Sequence, residues 1–343
     1  MAVEGIGPPV YVSSVAGSFT IAIPTHDRRE TVLLAIQSAL AQSEPPGQVL
    51  VLCDGCTDGT AEAVRGLGDE RVEALELEKL AGYAYEHRNR SLELARGEMI
   101  MWLGDDDLLL PDHLERLAET FARTGAEVLQ APAIAVWPDD SLSWAGGLDW
   151  GIPVMAERLA RANTTVMSAV CVRVETARAA GGWNGALERE ADWDLWKRLI
   201  AGGAPAAMSY EPTVLHFRAT GRRQAWSDRV RQNERWFAQI SDAKALAVLR
   251  PRLRALRDER DAQWLAELAA ANSRVVELDR HLDEAGGELE RLGGRLARAE
   301  AEVARLSDVE RTLQQVYAGR WWRLRLRLLA LRRRASRLLS RGP

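Results

Sequence analysis

Between residues 19 and 131 the chain alternates short apolar runs with longer amphipathic stretches, and this restricts the fold more than any other feature. Phe19–Ile23 and Val49–Cys53 are mainly apolar, Arg71–Leu77 alternates, and Glu98–Leu103 and Glu127–Ala131 complete the set. Runs this short and this apolar are strands buried on both faces. Helical patterns fill the gaps near residues 29–42, 58–66, 83–95 and 112–124. Strands and helices in this order, joined by right-handed crossovers, predict an α/β domain with a mostly parallel sheet. Pro45-Pro46-Gly47 and Gly97 mark element ends.

Residues 132–240 are less regular and rich in tryptophan: Trp137, Trp144, Trp150, Trp183, Trp193, Trp196, Trp226 and Trp236. Flat indole faces suit the apolar C–H faces of sugar rings. Core packing is the plainer use for any one of them. From about residue 244 the composition shifts to Ala, Leu, Arg and Glu. Apolar positions then recur at alternating spacings of four and three, from Trp264 through Leu268, Ala271, Val275, Leu278 and Leu282 to Leu306. That is a heptad seam, and it predicts a coiled coil. Gly286-Gly287 and Gly293-Gly294 lie off the seam and weaken the helix by about 1 kcal/mol per Gly relative to Ala. A helical hairpin folding back on the α/β domain is the rival.

The net charge of −4 is unevenly placed. Residues 317–343 hold nine Arg and no Asp, Glu or Lys, and their apolar positions continue at helical spacing. A net-acidic body argues against nucleic-acid binding. A cationic amphipathic tail predicts a helix lying on an anionic membrane surface. The three cysteines, Cys53, Cys56 and Cys171, cannot form a disulfide framework, which fits a reducing compartment. Cys53 and Cys56 have C-x-x-C spacing, but no second pair follows and the five His are scattered, so the spacing alone carries no metal site. Residues 5–26 lack charge, yet their Pro, Gly and Ser content fits a membrane span poorly. Met-Ala-Val-Glu also lacks the basic start of a signal peptide. A cytoplasmic location is expected, peripheral at the inner face of the membrane.

Chemistry is expected at the carboxyl ends of the strands, where open α/β sheets bind ligands. Asp54 follows Val49–Cys53, and a carboxylate there can accept the ring N–H of a uracil; a turn-forming Asp before Gly55 is the structural alternative. Asp105-Asp106-Asp107 follow the next such strand. Three adjacent carboxylates repel one another unless a cation or solvent relieves them, and Mg²⁺ or Mn²⁺ suits oxygen ligands and diphosphates. Asp192 sits at the first turn of an expected helix and could act as a general base toward a sugar hydroxyl. His216, after Thr213–Leu215, could complete a metal shell or be a hydrogen-bonded core His.

These blocks resemble the family-2, GT-A-fold glycosyltransferases. Phe19–Arg28 is similar to their opening strand, and Val51–Thr60 to their nucleotide-binding segment. Arg88-Asn89 and Gly97–Asp112 resemble the stretch with their DXD metal motif. Gly181–Trp183 and Glu190–Arg198 resemble the acceptor side with its catalytic acid. The resemblance covers roughly residues 18–220 and implies a Rossmann-like GT-A catalytic domain followed by a long α-helical coiled coil. It implies Thr25, Asp54, Arg88 and Asp105 as donor-binding residues, Asp106 as a ligand for Mn²⁺ or Mg²⁺, and Asp192 as the base, with His216 the further candidate ligand from the residues themselves. It further implies a nucleotide-sugar donor, a UDP-sugar, and a glycan, glycolipid or protein acceptor. Cys53 and Gly104 stand where many relatives carry Asp, and His26-Asp27 replaces a common Tyr-Asn. Arg222–Trp226 reads as a loop that clamps the diphosphate.

The expected layout is an extension over 1–17, the catalytic domain over 18–242, a dimeric coiled coil over 243–316 and a basic amphipathic helix over 317–343. One alternative is a non-catalytic coiled-coil scaffold with a degenerate sugar-nucleotide domain. Another, a nucleotidyltransferase, needs a Gly-rich basic loop after the first strand, which Pro24–Arg28 does not supply.

Overall fold

The computed structural model describes residues 17–218 and 225–339. The first strands and helices are β1 (Phe19–Thr25), α1 (Arg29–Leu40), β2 (Gln48–Asp54), α2 (Thr60–Arg65) and β3 (Val72–Leu77). Then come α3 (Tyr85–Leu94), β4 (Met99–Trp102), β5 (Leu108–Leu109), α4 (His113–Thr124) and β6 (Val128–Gln130). All five expected strands and all four expected helices are present. The more irregular part follows with β7 (Ala133–Val136), β8 (Leu142–Gly146), α5 (Pro153–Arg161), β9 (Val170–Arg173) and α6 (Val174–Ala179). It ends with α7 (Ala191–Ala201), β10 (Ala206–Met208), β11 (Val214–Phe217) and α8 (Trp226–Ser241).

Seven strands form the main sheet in the order β10-β6-β9-β4-β1-β2-β3. All are parallel except β9, which runs antiparallel between β4 and β6. The sheet is therefore the expected mostly parallel one with a single inverted insertion. β1 has β2 on one side and β4 on the other. The chain winds outward from β1 to β3 and then crosses back to β4, so a switch point lies between β1 and β4, where such sheets open a crevice. Both faces are covered: Ile21 and Ile23 of β1, Val49 and Val51 of β2 and Met99 and Met101 of β4 pack with Val32 and Ile36 of α1 in one core, and Ala22, Leu50, Leu52, Ile100 and Trp102 on the opposite face are buried too.

A second sheet, β5-β11-β7-β8, packs Leu108, Ile134, Leu215 and Phe217 against Trp236 and Ile240 of α8. Leu249 and Leu253 join this core. They lie at the start of α9 (Ala243–Ala318), a single helix of 76 residues. The first compact unit accordingly runs to Gln263, and packing continues past residue 242. Trp102, Trp183 and Trp196 are fully buried, with Trp183 edge-on to the other two, so these indoles are core residues.

The second unit runs from Trp264 to Pro343. In it α9 passes unbroken through both Gly pairs, which excludes a hairpin within residues 243–318. Leu268, Val275, Leu278, Leu282, Leu289, Leu292, Leu296, Val303 and Leu306 are exposed along it. α10 (Arg320–Leu339) follows, with Leu324, Leu328 and Leu331 exposed beside its arginines. Among the described residues, no helix is long and apolar enough to cross a membrane.

Ion pairs fasten the start of α9 to the α/β body: Arg254 and Arg257 reach Glu211, and Arg250 reaches the buried Asp112. Arg250 donates to Asp112 Oδ1 at 2.6 Å, and Arg116 donates to Oδ2 at 3.2 Å. Burial alone would raise the Asp112 pKa, but Arg250 and then Arg116 more than offset this and hold it below the usual range. Arg250→Ala should lower stability in urea by about 1–3 kcal/mol, the range for a hydrogen bond to a charged group. A carboxylate depressed in the folded state adds stability that is present at neutral pH. That stability is lost as pH falls from about 4 through the folded pKa. The parent should therefore lose more stability than the variant over that acid window, measured as the difference in urea midpoint.

Candidate active site

Three neighbouring strands, β4, β1 and β2, deliver the site from their carboxyl ends. Thr25 closes β1, Asp54 closes β2, and Asp105–Asp107 follow β4 by way of Leu103-Gly104. A cavity of ≈ 330 Å³ opens there. Thr25, Asp54, Arg88 and Asp105 all line it, joined by His26, Arg28, Lys79 and Tyr83. Asp106, Asp192 and His216 are not among its lining residues.

Asp54 is buried and already well solvated by protein. Its Oδ1 accepts the Leu80 N–H at 2.8 Å and lies 3.2 Å from His87 Nε2, while Oδ2 accepts from Lys79. Burial would raise its pKa, but Lys79 and the Leu80 N–H outweigh burial and lower it. The carboxylate is thus charged and oriented, and each oxygen keeps lone-pair capacity for a donor in the cavity.

Arg88 is buried between two rings, with its guanidinium 5.0 Å from the Tyr85 centroid and 5.2 Å from that of Trp183. It donates to the Tyr83 carbonyl at 2.5 Å. Burial lowers its pKa to about 10, opposed by Tyr85, Asp192, Asp105 and Asp54. It therefore stays cationic at neutral pH and serves three acids from different elements. Asp192 lies in the first turn of α7, and Asn163 donates to its Oδ2 at 3.2 Å.

The three consecutive carboxylates take different partners. Asp105 accepts from Arg28 at 2.7 Å; burial raises its pKa against the pull of Arg28 and Thr25. Asp106 lies 3.2 Å from Arg229 and 3.7 Å from Arg28. Burial, then Asp107 and Asp105, push its pKa up to about 6. Asp107 points inward, accepting from Ser168, from His216 Nδ1 at 3.0 Å and from the Phe217 N–H at 3.1 Å. Its pKa is lowered, because His216 and these hydrogen bonds outweigh burial. Asp106 has the most exposed side chain of the three, 19% against 10% for Asp105 and 4% for Asp107.

Gly104 explains why an acid is missing there. A Cβ at that position would lie 2.9 Å from Asp107 Oδ2 and 3.2 Å from its Cγ. Asp107, pinned by Ser168 and by His216 and Phe217 of β11, fills the space a side chain would need. Cys53 is also accounted for: its side chain faces the core of the main sheet and is 1% exposed. Arg222–Gln224 of the expected diphosphate clamp lie outside the described residues; Trp226 of that segment stacks on Arg28 at 5.3 Å. Lys79, His87, Arg28, Ser168 and Arg229 were not singled out from the sequence. Arg28 alone had a signal, as the last residue of the segment after β1.

Comparison with known proteins shows the family. Residues 20–171 match the model of Glycosyl transferase family 2, and residues 99–278 match that of Glycosyl transferase family group 2. The second match covers more than half of the chain, and the chain belongs to the family-2 glycosyltransferases, with a GT-A catalytic domain. It is 33% identical over 109 residues to the succinoglycan biosynthesis protein ExoO of Rhizobium meliloti, covering 32% of this chain and 31% of that protein. It is 31% identical over 102 residues to the putative teichuronic acid biosynthesis glycosyltransferase TuaG of Bacillus subtilis, covering 29% and 40%. The matched segments thus span less than half the length of these relatives. The crystal structure of S. aureus TarS 1-349 in complex with UDP-GlcNAc is 17% identical, with a TM-score of 0.49 over 65% of this chain and 66% of that one.

Proposed function

We propose that this chain is a metal-dependent, inverting glycosyltransferase that moves a sugar from a UDP-sugar to a hydroxyl of a glycan, glycolipid or protein. The observation that carries the reading is the convergence of Thr25, Asp54, Arg88 and Asp105 on one cavity at the switch point of the sheet. In this reading Asp54 accepts the uracil N–H, held in place by Lys79 and the Leu80 N–H. Asp105 and Thr25 meet the ribose, and Arg88 lends positive charge toward the diphosphate from a site that the two aromatic rings keep rigid. Asp192 takes the proton of the acceptor hydroxyl as its oxygen bonds to C1 from the face opposite the diphosphate. The C1–O bond to the diphosphate breaks in the same displacement, so the anomeric configuration inverts.

Two side chains support a divalent cation in this reading. His216 donates from Nδ1 to Asp107, the carboxylate–histidine arrangement common behind metal ligands, and against burial Asp107 raises its pKa, so in this reading a metal takes Nε2 in place of a proton. Asp106, the most exposed of the three acids, supplies oxygen. Asp106 and His216 would hold Mn²⁺ or Mg²⁺, and the ion, when bound, would stabilise negative charge on the departing diphosphate. Arg28 and Arg229 offset the charge of Asp106 in the free protein.

The second unit suits assembly and placement. The seam from Trp264 to Leu306 covers 43 residues, or about 64 Å of helix, and its exposed Leu and Val suit the same face of a second copy. The cationic α10 suits an anionic leaflet, at about 1 kcal/mol per Arg near the surface before salt screening. Two tails in a dimer would reinforce each other. The proposed location is the cytoplasm, at the inner face of the membrane.

Asp192→Asn keeps the side-chain shape and removes the base. Sugar transfer in the presence of Mn²⁺ should fall by roughly 10²–10⁴ in kcat, with UDP affinity within about twofold of the parent. Near-normal turnover would move the role to another residue. For assembly, light scattering should give a dimer for residues 1–316 and a monomer for residues 1–263. The full chain should sediment with anionic but not neutral vesicles, and lose this when residues 317–343 are removed. A monomer at 1–316 contradicts the coiled coil, and failure to sediment at low salt contradicts the anchor.

A further inference from the structure

The C-x-x-C spacing of Cys53 and Cys56 divides into two unlike halves. Cys53 belongs to β2 and is buried in the core, where desolvation pushes its thiol up to about 12. Cys56 is half-buried on the loop beyond Asp54, and its Sγ lies 3.7 Å from the Thr25 carbonyl, on the loop side of β1. The residues that gather around Cys56 come from that neighbouring loop. Among the described residues, His26, Asp27 and Cys56 bring an imidazole nitrogen, a carboxylate oxygen and a sulfur within 4.8 Å of one another.

We propose that His26, Asp27 and Cys56 bind a thiophilic divalent cation, Zn²⁺, at the rim of the donor cavity. Three observations support this site. His26 Nδ1 donates to the Asp54 carbonyl at 2.7 Å, which fixes the proton on that nitrogen and leaves the Nε2 lone pair available. A backbone carbonyl behind a histidine is the usual second partner of a metal-binding imidazole. Nε2 lies 3.8 Å from Asp27 Oδ2. Two ligands about 2.1 Å from a tetrahedral zinc are about 3.4 Å apart, so the pair needs only a small adjustment to share an ion. Asp27 is itself anchored, because its Oδ1 accepts the Thr57 N–H at 2.7 Å.

The ligand types choose the metal. Sulfur with imidazole favours Zn²⁺ over Mg²⁺, Ca²⁺ or Mn²⁺, which take mainly oxygen. On binding, the Cys56 S–H bond breaks, the sulfur–metal bond forms and the proton leaves to solvent. Three protein ligands leave a fourth position for water. His26 also lines the cavity at the strand ends, so the ion would rest at its rim. The site is separate from Asp106 and His216 and does not depend on the function proposed above.

Co²⁺ titration of the full-length reduced protein tests it, because a thiolate on Co²⁺ gives a strong near-ultraviolet charge-transfer band. One equivalent should produce that band, and added Zn²⁺ should remove it. Asp106→Ala should leave the band intact. Cys56→Ser should abolish it and weaken Zn²⁺ binding by about tenfold or more. His26→Asn should weaken Zn²⁺ binding without unfolding the chain, as checked by circular dichroism. Cobalt binding with no thiolate band, or a band that survives Cys56→Ser, would overturn the proposal.

Discussion

Three adjacent carboxylates at the end of one strand are the constraint around which this domain is arranged. Side by side and largely buried, Asp105, Asp106 and Asp107 repel one another, and each is satisfied from a different part of the chain. Arg28, beyond β1, takes Asp105, and Arg229 of α8 approaches Asp106. His216 of β11 and Ser168 take Asp107. These contacts tie the small sheet and α8 to the carboxyl end of β4, the central strand of the main sheet. Asn233 adds a further tie by donating to the Asp106 carbonyl at 2.7 Å. Breaking such a network leaves a buried charge uncompensated, which costs more than the pair itself contributes.

The same network sorts the acids by task. Asp107 is turned inward and used up structurally, which is why Gly104 must be small. Asp105 faces the cavity, and Asp106 keeps the greatest exposure. Arg88, held between Tyr85 and Trp183, carries its positive charge into the same cavity that Asp54 and Asp105 line. Geometry at this site follows from charge balance more than from the shape of any single loop.

Much of the main sheet was legible because its strands are buried on both faces and its helices on one, so apolar runs and helical periods mark both. Asp54 and Asp105–Asp107 were legible as strand-end acids. β9 was not, because a four-residue strand inserted antiparallel between β4 and β6 has no local signal for its partners. The second sheet hid for the same reason, with β5 only two residues long. Arg229, Ser168 and Lys79 look like ordinary polar residues until tertiary folding brings them to a carboxylate. The compositional change near residue 244 marks a new helix, yet Leu249 and Leu253 belong to the first unit and pack in its core. Composition records helix propensity there, and burial depends on what lies opposite.

The central claim is that the strand-end acids bind a nucleoside diphosphate through a cation. Calorimetric titration with UDP in the presence and absence of Mn²⁺, for the parent and for Asp106→Ala, tests it most directly. Mn²⁺ should strengthen UDP binding by the parent and leave UDP binding by the folded variant unchanged. Equal Mn²⁺ enhancement in both proteins, or none in the parent, would contradict it.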